Sequence, residues 1–165
     1  MCFWGAVFIL VSLSGCDEGP GPLSAERITG RGFSVASVHF TGLTRLVPGG
    51  SDADSRSIRT FVELRDVYDS KLKSPAVFRF DLYRYVPHRS DPRGTHLQTW
   101  PDFRLTEAPA NHLYWRDYLR AYEFSLEIDL SLPAEETYLL EVTCLTDEPK
   151  RMLSLIHISE PTRPY

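Results

Sequence analysis

Cysteine is scarce in this sequence: the 165 residues hold three, Cys2, Cys16 and Cys144. Two of them lie in or beside an N-terminal apolar run, which leaves Cys144 alone in the rest of the chain. A disulfide framework needs paired cysteines, so a disulfide-stapled fold is excluded. Basic runs are absent as well. The 18 Lys and Arg residues are scattered among 22 Asp and Glu, for a net charge of -4. Phosphate binding needs a concentrated basic surface, so nucleic acid is excluded as a partner. There is no Gly-x-Ser-x-Gly elbow, no Walker loop, no His-Glu-x-x-His and no full EF-hand ligand pattern. Gly49-Gly50-Ser51 reads as a loop tip and not as a phosphate cradle. No catalytic residue, resident metal or cofactor is expected from these motifs. Internal repeats and long helical periods are also missing.

What is present is ordinary globular composition, 42% hydrophobic and 24% charged, in one domain's length of chain. Twelve prolines and ten glycines predict many turns and few long helices.

The N-terminus reads as a targeting segment. Phe3 to Leu13 is apolar, broken mainly by Gly5 and Ser12. It has the length of a signal-peptide core and is too short to cross a bilayer as a helix. It ends in Leu13-Ser14-Gly15-Cys16, which resembles a lipobox. Small residues at 14 and 15 admit a peptidase to the backbone, and the Cys16 thiol is the nucleophile that accepts lipid. Residues 1–15 are therefore expected to be a lipoprotein signal peptide. Residues 16–32 would be the lipidated cysteine and a flexible Gly/Pro-rich tether. The expected partner is a membrane, and the expected address is the cell envelope, facing the periplasm or the exterior. The segment before the apolar run is only Met1-Cys2 and lacks Lys and Arg. That departure from the signal-peptide pattern points to a start further upstream.

Between residues 33 and 152 the dominant pattern is alternation. Tyr122, Phe124, Leu126, Ile128, Leu130 and Leu132 alternate with Glu123, Ser125, Glu127, Asp129 and Ser131. A period of two puts one set on each face of a strand. Thr137 to Leu145 repeats the pattern, and the short link Pro133–Glu136 predicts an antiparallel pair with the preceding strand. Ala76–Tyr85 is a third strand with Phe78, Phe80 and Leu82 inward. Ile58–Leu64 is a fourth, with Ile58, Thr60, Val62 and Leu64 on one face. Phe33–Phe40 is a fifth, with a switch of face or a bulge near Ala36-Ser37. Shorter extended pieces are expected at Leu43–Val47 and Leu97–Leu105. A short helix is expected around residues 111–121, where Leu113, Tyr114, Asp117, Tyr118 and Ala121 fall at helical spacing.

Few residues invite chemistry. Cys144 falls on a core face and reads as a small buried apolar residue. His88, Asp91 and His96 lie in a Pro-rich connection, without the spacing that would lock a zinc site. Asp52, Asp54, Asp66 and Asp69 could supply oxygens to calcium but lack the full EF-hand pattern, and Asp66-Val67-Tyr68-Asp69 reads as a turn. Trp100, Tyr114, Trp115, Arg116 and Tyr118 are the candidate binding surface, since aromatic faces beside arginines suit a glycan, a peptide or a protein. The competing assignment has Trp115 and Tyr118 plugging one open end of the sandwich.

The segment Phe61–Lys73, a strand, an Asp, a short turn, a Lys and a second strand, resembles transthyretin-like and carboxypeptidase-regulatory-like sandwiches. With Trp115-Arg116-Asp117 and Tyr122-Glu123-Phe124, residues 33–152 are similar to planctomycete-type envelope lipoproteins. The fold expected is therefore all-β: an antiparallel β-sandwich, Ig-like or transthyretin-like. The resemblance implies a fold and an address and supplies no catalytic residue.

The last thirteen residues stand apart. Leu153–Pro164 resembles the in-frame translation of a transposase-type sequencing adapter. Residues 153–165 are accordingly expected to be a non-native tail on a domain that is cut short near Met152. The other reading is an amphipathic tail in which Leu153, Leu155, Ile156 and Ile158 pair as a last strand. In either case His157 and Glu160 belong to no site. The functional expectation is a lipid-anchored, non-catalytic module that binds an envelope protein or glycan, or is structural. The alternative is a hydrolase or metal-dependent enzyme with its site in loops 86–118 or in a missing C-terminus. That alternative requires a cleft gathering His88, His96 or His112 with acidic groups.

Overall fold

A computed structural model describes residues 34–48, 56–128, 133, 136–147 and 150–159. In chain order the described elements are β1 (Ser37–Phe40), β2 (Arg45–Pro48), β3 (Arg56–Arg65), β4 (Lys71–Leu72) and β5 (Ala76–Tyr85). There follow β6 (Arg93–Thr99), β7 (Phe103–Leu105), α1 (Ala108–Tyr114), β8 (Trp115–Arg116), β9 (Ala121–Ile128), β10 (Tyr138–Leu145) and β11 (Arg151–Ile158). They form two antiparallel sheets that pack face to face as an all-β sandwich. The first sheet runs β1-β3-β9-β8, with β2 and β4 also on β3. The second runs β11-β10-β5-β6, with β7 also on β5.

The alternating faces meet in one core. Ile58, Thr60, Val62 and Leu64 of β3 and Tyr122, Phe124 and Leu126 of β9 face Phe78, Phe80 and Leu82 of β5 and Leu140 and Val142 of β10, all essentially fully buried. Phe124 is the hub, with the rings of Phe80, Phe103 and Phe78 at 4.9, 5.0 and 5.2 Å. Tilted and edge-on rings at such distances add to the area that each one buries. Val35, ahead of β1, and Val38 within it are both buried although three residues apart, so the chain changes face near Ala36-Ser37.

Two expectations about the architecture need correcting. The strands after Tyr122 and after Thr137 are not partners. β9 pairs with β3, Val62 opposite Tyr122, while β10 pairs with β5, Leu140 opposite Leu82. The connection between them crosses from one sheet to the other, a separation of about 10 Å that residues 129–137 readily span. The physical reason lies in the outer faces. β9 turns Glu123, Ser125 and Glu127 outward and tolerates a partly exposed position, with only the two-residue β8 on its far side. β10 is buried on both faces from Tyr138 to Cys144, so it needs strands on both sides.

The helix is also displaced. It begins at Ala108, where a proline in the first turn favours initiation. It ends at Tyr114, because Trp115 is extended (φ -78°, ψ 133°). Trp115 and Arg116 then pair with Tyr122 and Ala121. The helical spacing across 111–121 therefore belongs to a tight hairpin, whose last turn residue, Arg120, takes φ 51°.

Residues 153–158 lie within β11, which pairs with β10 along its whole length from Leu145–Arg151 to Tyr138–Ile158. Met152 and Ile158 face the core, and Leu153 and Leu155 face out. This is the last-strand geometry of the second reading, and the segment is part of the folded sandwich, not an appendage. Pairing depends on the side chains present and not on their origin. The β-favouring run Leu-Ser-Leu-Ile-His-Ile takes the edge that β10 offers. Cys16, residues 1–32, Phe33, Asp52, Asp54 and Glu160 to Tyr165 lie outside the described residues.

Candidate functional site

One end of the sandwich collects α1, the β3–β4 turn, the β4–β5 connection and the β8–β9 turn. Its foundation is a buried polar knot. The Tyr122 hydroxyl donates to the Ser74 carbonyl at 2.8 Å, accepts from the Ser74 N–H at 3.0 Å and lies 3.1 Å from Asn111 Oδ1. Asn111 Nδ2 donates to the carbonyls of Ser74 and Leu105, both at 2.9 Å. Burial pushes the Tyr122 phenol above its ordinary pKa, against the opposing effect of its hydrogen bonds to Ser74 and Asn111. Above the knot is a shallow depression of about 220 Å³ lined by Lys73, Ser74, Pro75, Thr106, Ala108 and Asn111. Among the described residues, no buried side-chain polar atom lacks a hydrogen-bond partner, those of Asn111 and Tyr122 beneath this depression included.

The β3–β4 turn is set by Asp66, whose Oδ1 accepts the backbone N–H of Tyr68 and of Ser70, both at 2.9 Å. This is the side-chain mimicry of a turn expected of Asp, and Asp69 completes it at φ 64°. Glu63 takes Lys71 at 2.6 Å and Arg65 at 2.7 Å, and Arg65 also holds Asp69 at 2.6 Å. Burial acts to raise the Glu63 carboxyl. Hydrogen bonds from Lys71 and Arg65 outweigh it, and the group lies below the ordinary carboxylate range. With Asp66 and Asp69 so engaged, the assignment to a turn holds.

The five residues of the candidate binding surface do not come together. Trp100 is buried and its Nε1 donates to the Glu127 carbonyl at 2.6 Å. Trp115 packs on Tyr122 at 5.0 Å, five residues away along β9, roughly 17 Å by strand rise. Tyr114 is half-buried against Phe103 and Phe124 at 5.7 and 5.3 Å. Trp115 does plug the end of the sandwich, with its Nε1 on Asp117 Oδ1 at 2.8 Å and Lys73 Nζ 6.0 Å from its ring. Arg116 is spent on Glu123 at 2.5 Å and on the Leu113 carbonyl at 2.9 Å. Tyr118 plugs nothing and is 77% exposed.

Three further exposed apolar side chains belong to the same end of the fold: Val67, Tyr68 and Leu113, at 63%, 74% and 69%. The signal available in the sequence was a Val-Tyr pair inside an Asp-bounded turn, where polar residues are the usual choice.

The histidines are dispersed. His88 occupies the tip of the β5–β6 hairpin at φ 59°. His96 Nε2 sits 2.9 Å from Thr99 Oγ1 and 3.3 Å from Asp81 Oδ1 on the outer face of the second sheet. His112 Nδ1 is 3.1 Å from Lys73 Nζ on α1. Among the described residues no three His, Cys, Asp or Glu side chains converge as metal ligands. The cleft that the hydrolase alternative requires within loops 86–118 is thus not formed by these histidines. Cys144 is fully buried, and burial pushes its thiol up to about 12, far from the thiolate a nucleophile needs. No described helix is long and apolar enough to cross a membrane.

No protein-family model matches the chain, and no curated protein matches it. Among solved structures, it is similar to part of Bacteroides uniformis beta-glucuronidase 2, determined covalently bound to cyclophellitol-6-carboxylate aziridine. The identity is 18% and the TM-score 0.37, over 76% of this chain and 14% of that one. The chain spans a small fraction of that enzyme's length, and a likeness of this degree carries nothing about activity.

Proposed function

We propose that this protein is a lipoprotein of a bacterial cell envelope, held to a membrane by lipid on Cys16. Its sandwich serves as a non-catalytic binding or structural module for an envelope protein or glycan. The observation that carries the reading is the apolar run Phe3–Leu13 ending in Leu13-Ser14-Gly15-Cys16, with the polar Gly/Pro-rich stretch Asp17–Pro22 behind it. The exposed Val67, Tyr68, Leu113 and Tyr118 at one end of the domain support a contact role, because exposed apolar clusters mark interaction surfaces.

The test is metabolic labelling. The full chain, produced in a bacterial host with radiolabelled palmitate, is expected to carry label and to partition into detergent. Cys16→Ala is expected to lose both. An unlabelled parent chain would sink the anchor.

A further inference from the structure

We propose that the α1 end of the sandwich itself rests in the membrane interface, inserting Val67, Tyr68, Leu113 and Tyr118 among the lipid headgroups. This rests on the lipid-anchor reading for the presence of a bilayer, and it adds a second point of contact. Three observations converge on it. The first is where the chain comes from. Ala36 N–H donates to the Arg65 carbonyl at 2.7 Å, and Ser37 pairs with Arg65, so the polypeptide arrives from Cys16 beside the turn that carries Val67 and Tyr68. Seventeen residues lie between Cys16 and Ser34, eighteen steps along the chain, a reach of at most about 65 Å. The α1 end is the nearer one to the point where the described chain begins. The opposite end would need it to run the further length of a ten-residue strand, about 33 Å.

The second observation is that the exposed side chains are held out by rigid backbone. The β3–β4 turn is tied by Asp66 and by the Arg65–Asp69 ion pair. The β8–β9 turn is closed by Leu119 N–H to the Arg116 carbonyl at 3.1 Å and Arg120 N–H to the Asp117 carbonyl at 3.2 Å. The two turns are fastened to each other, since Arg120 Nη2 donates to the Lys71 carbonyl at 2.5 Å and Lys71 Nζ to the Leu119 carbonyl at 3.5 Å. The Leu113 carbonyl is held by Arg116. The backbone that carries Tyr68 and Tyr118 is therefore tied at both turns.

The third is the type of residue. Tyrosine has an apolar body and a polar tip, the combination that settles at headgroup depth. Basic Lys73, Arg120 and Lys150 share this end with acidic Asp66, Asp69 and Asp117, so apolar surface carries the contact and not net charge.

The buried Cys144 makes the test clean, because an added surface cysteine becomes the reactive thiol of the lipidated chain. Val67→Cys and Tyr118→Cys, with Arg89→Cys at the opposite end as control, are labelled with an environment-sensitive fluorophore. The unsubstituted chain is the blank. Each full chain is reconstituted in phosphatidylethanolamine–phosphatidylglycerol vesicles, and iodide quenching is measured before and after. The N-terminal peptide is weighed in parallel. The expected result is a several-fold fall in quenching at 67 and 118 and none at 89. An acylated Cys16 with equal quenching at all three positions overturns the docking surface and leaves the end free for another macromolecule. An unacylated Cys16 with protection at 67 and 118 removes the anchor and keeps the surface. An unacylated Cys16 with equal quenching removes both.

Discussion

Deleting one oxygen from the buried knot is the sharpest test of how the α1 end is built. Tyr122→Phe keeps the ring that packs on Phe78 and Trp115 and removes only the hydroxyl. Two groups then lose a partner. The hydroxyl's one hydrogen serves the Ser74 carbonyl or Asn111 Oδ1, and Asn111, 4% exposed, is the more deeply buried of the two, while the Ser74 N–H is on a half-buried residue and is partly rehydrated. The Ser74 carbonyl keeps Asn111 Nδ2. One fully and one partly orphaned group, at about 1–3 kcal/mol for a buried polar atom without its partner, puts the loss near 2 kcal/mol. For a domain of this size that is a fall in Tm of roughly 8 °C. The assay is urea unfolding followed by tryptophan fluorescence, with an unchanged slope and a lower midpoint expected. Asn111→Ala should also destabilise, and the double variant should lose less than the sum of the two, because each removes the other's partner. A loss under about 0.5 kcal/mol in Tyr122→Phe, or strict additivity, would refute the shared network.

Three further outcomes follow from the geometry. Trp115→Ala should cost about 3–5 kcal/mol as a core truncation, while Tyr118→Ala should stay within about 0.5 kcal/mol; comparable losses in thermal unfolding would contradict their assignment as plug and open surface. Gly94→Ala places a Cβ 2.6 Å from Val86 Cγ2 and 2.7 Å from the Arg84 carbonyl. The backbone of the β5–β6 hairpin must then shift, so a loss of about 1–3 kcal/mol is expected, and an unchanged midpoint would show that the hairpin yields freely. Glu63 is held below its ordinary value of 4.5, so its stabilisation is present above that pH and is lost as pH falls through the lower folded value. Stability measured downward from pH 4.5 should decline less steeply in Glu63→Gln than in the parent, and parallel curves would remove Glu63 as a contributor.

The long strands were legible because their signal is local. Side chains alternate with a period of two, so Phe78, Phe80 and Leu82 declare a face within a few residues. The bend at Asp66–Asp69 was legible for the same reason, as one carboxylate turns its own backbone. The helix was misplaced because Leu113, Tyr114, Tyr118 and Ala121 satisfy a helical spacing and equally suit the end of a helix followed by a hairpin. Only the pairing of Trp115 with Tyr122 separates these. The five candidate residues are not gathered on one surface for a related reason. Trp100 and Trp115 are neighbours in composition but are delivered to different stretches of β9.

Residue type and spacing alone determined that this chain builds two-faced strands and that Cys144 falls on a core face. They could not determine which strand lies beside which. β9 and β10 each present an apolar face, and nothing within nine connecting residues states whether the link turns within a sheet or crosses between sheets. That was decided by the demand of β10 for burial on both faces, which β5 and β11 meet together. Likewise the exposure of Val67, Tyr68 and Tyr118 beside the arriving N-terminal segment was decided by tertiary contacts, the Arg120–Lys71 tie and the Ala36–Arg65 pairing. Both join residues distant in sequence, where local propensity has no reach.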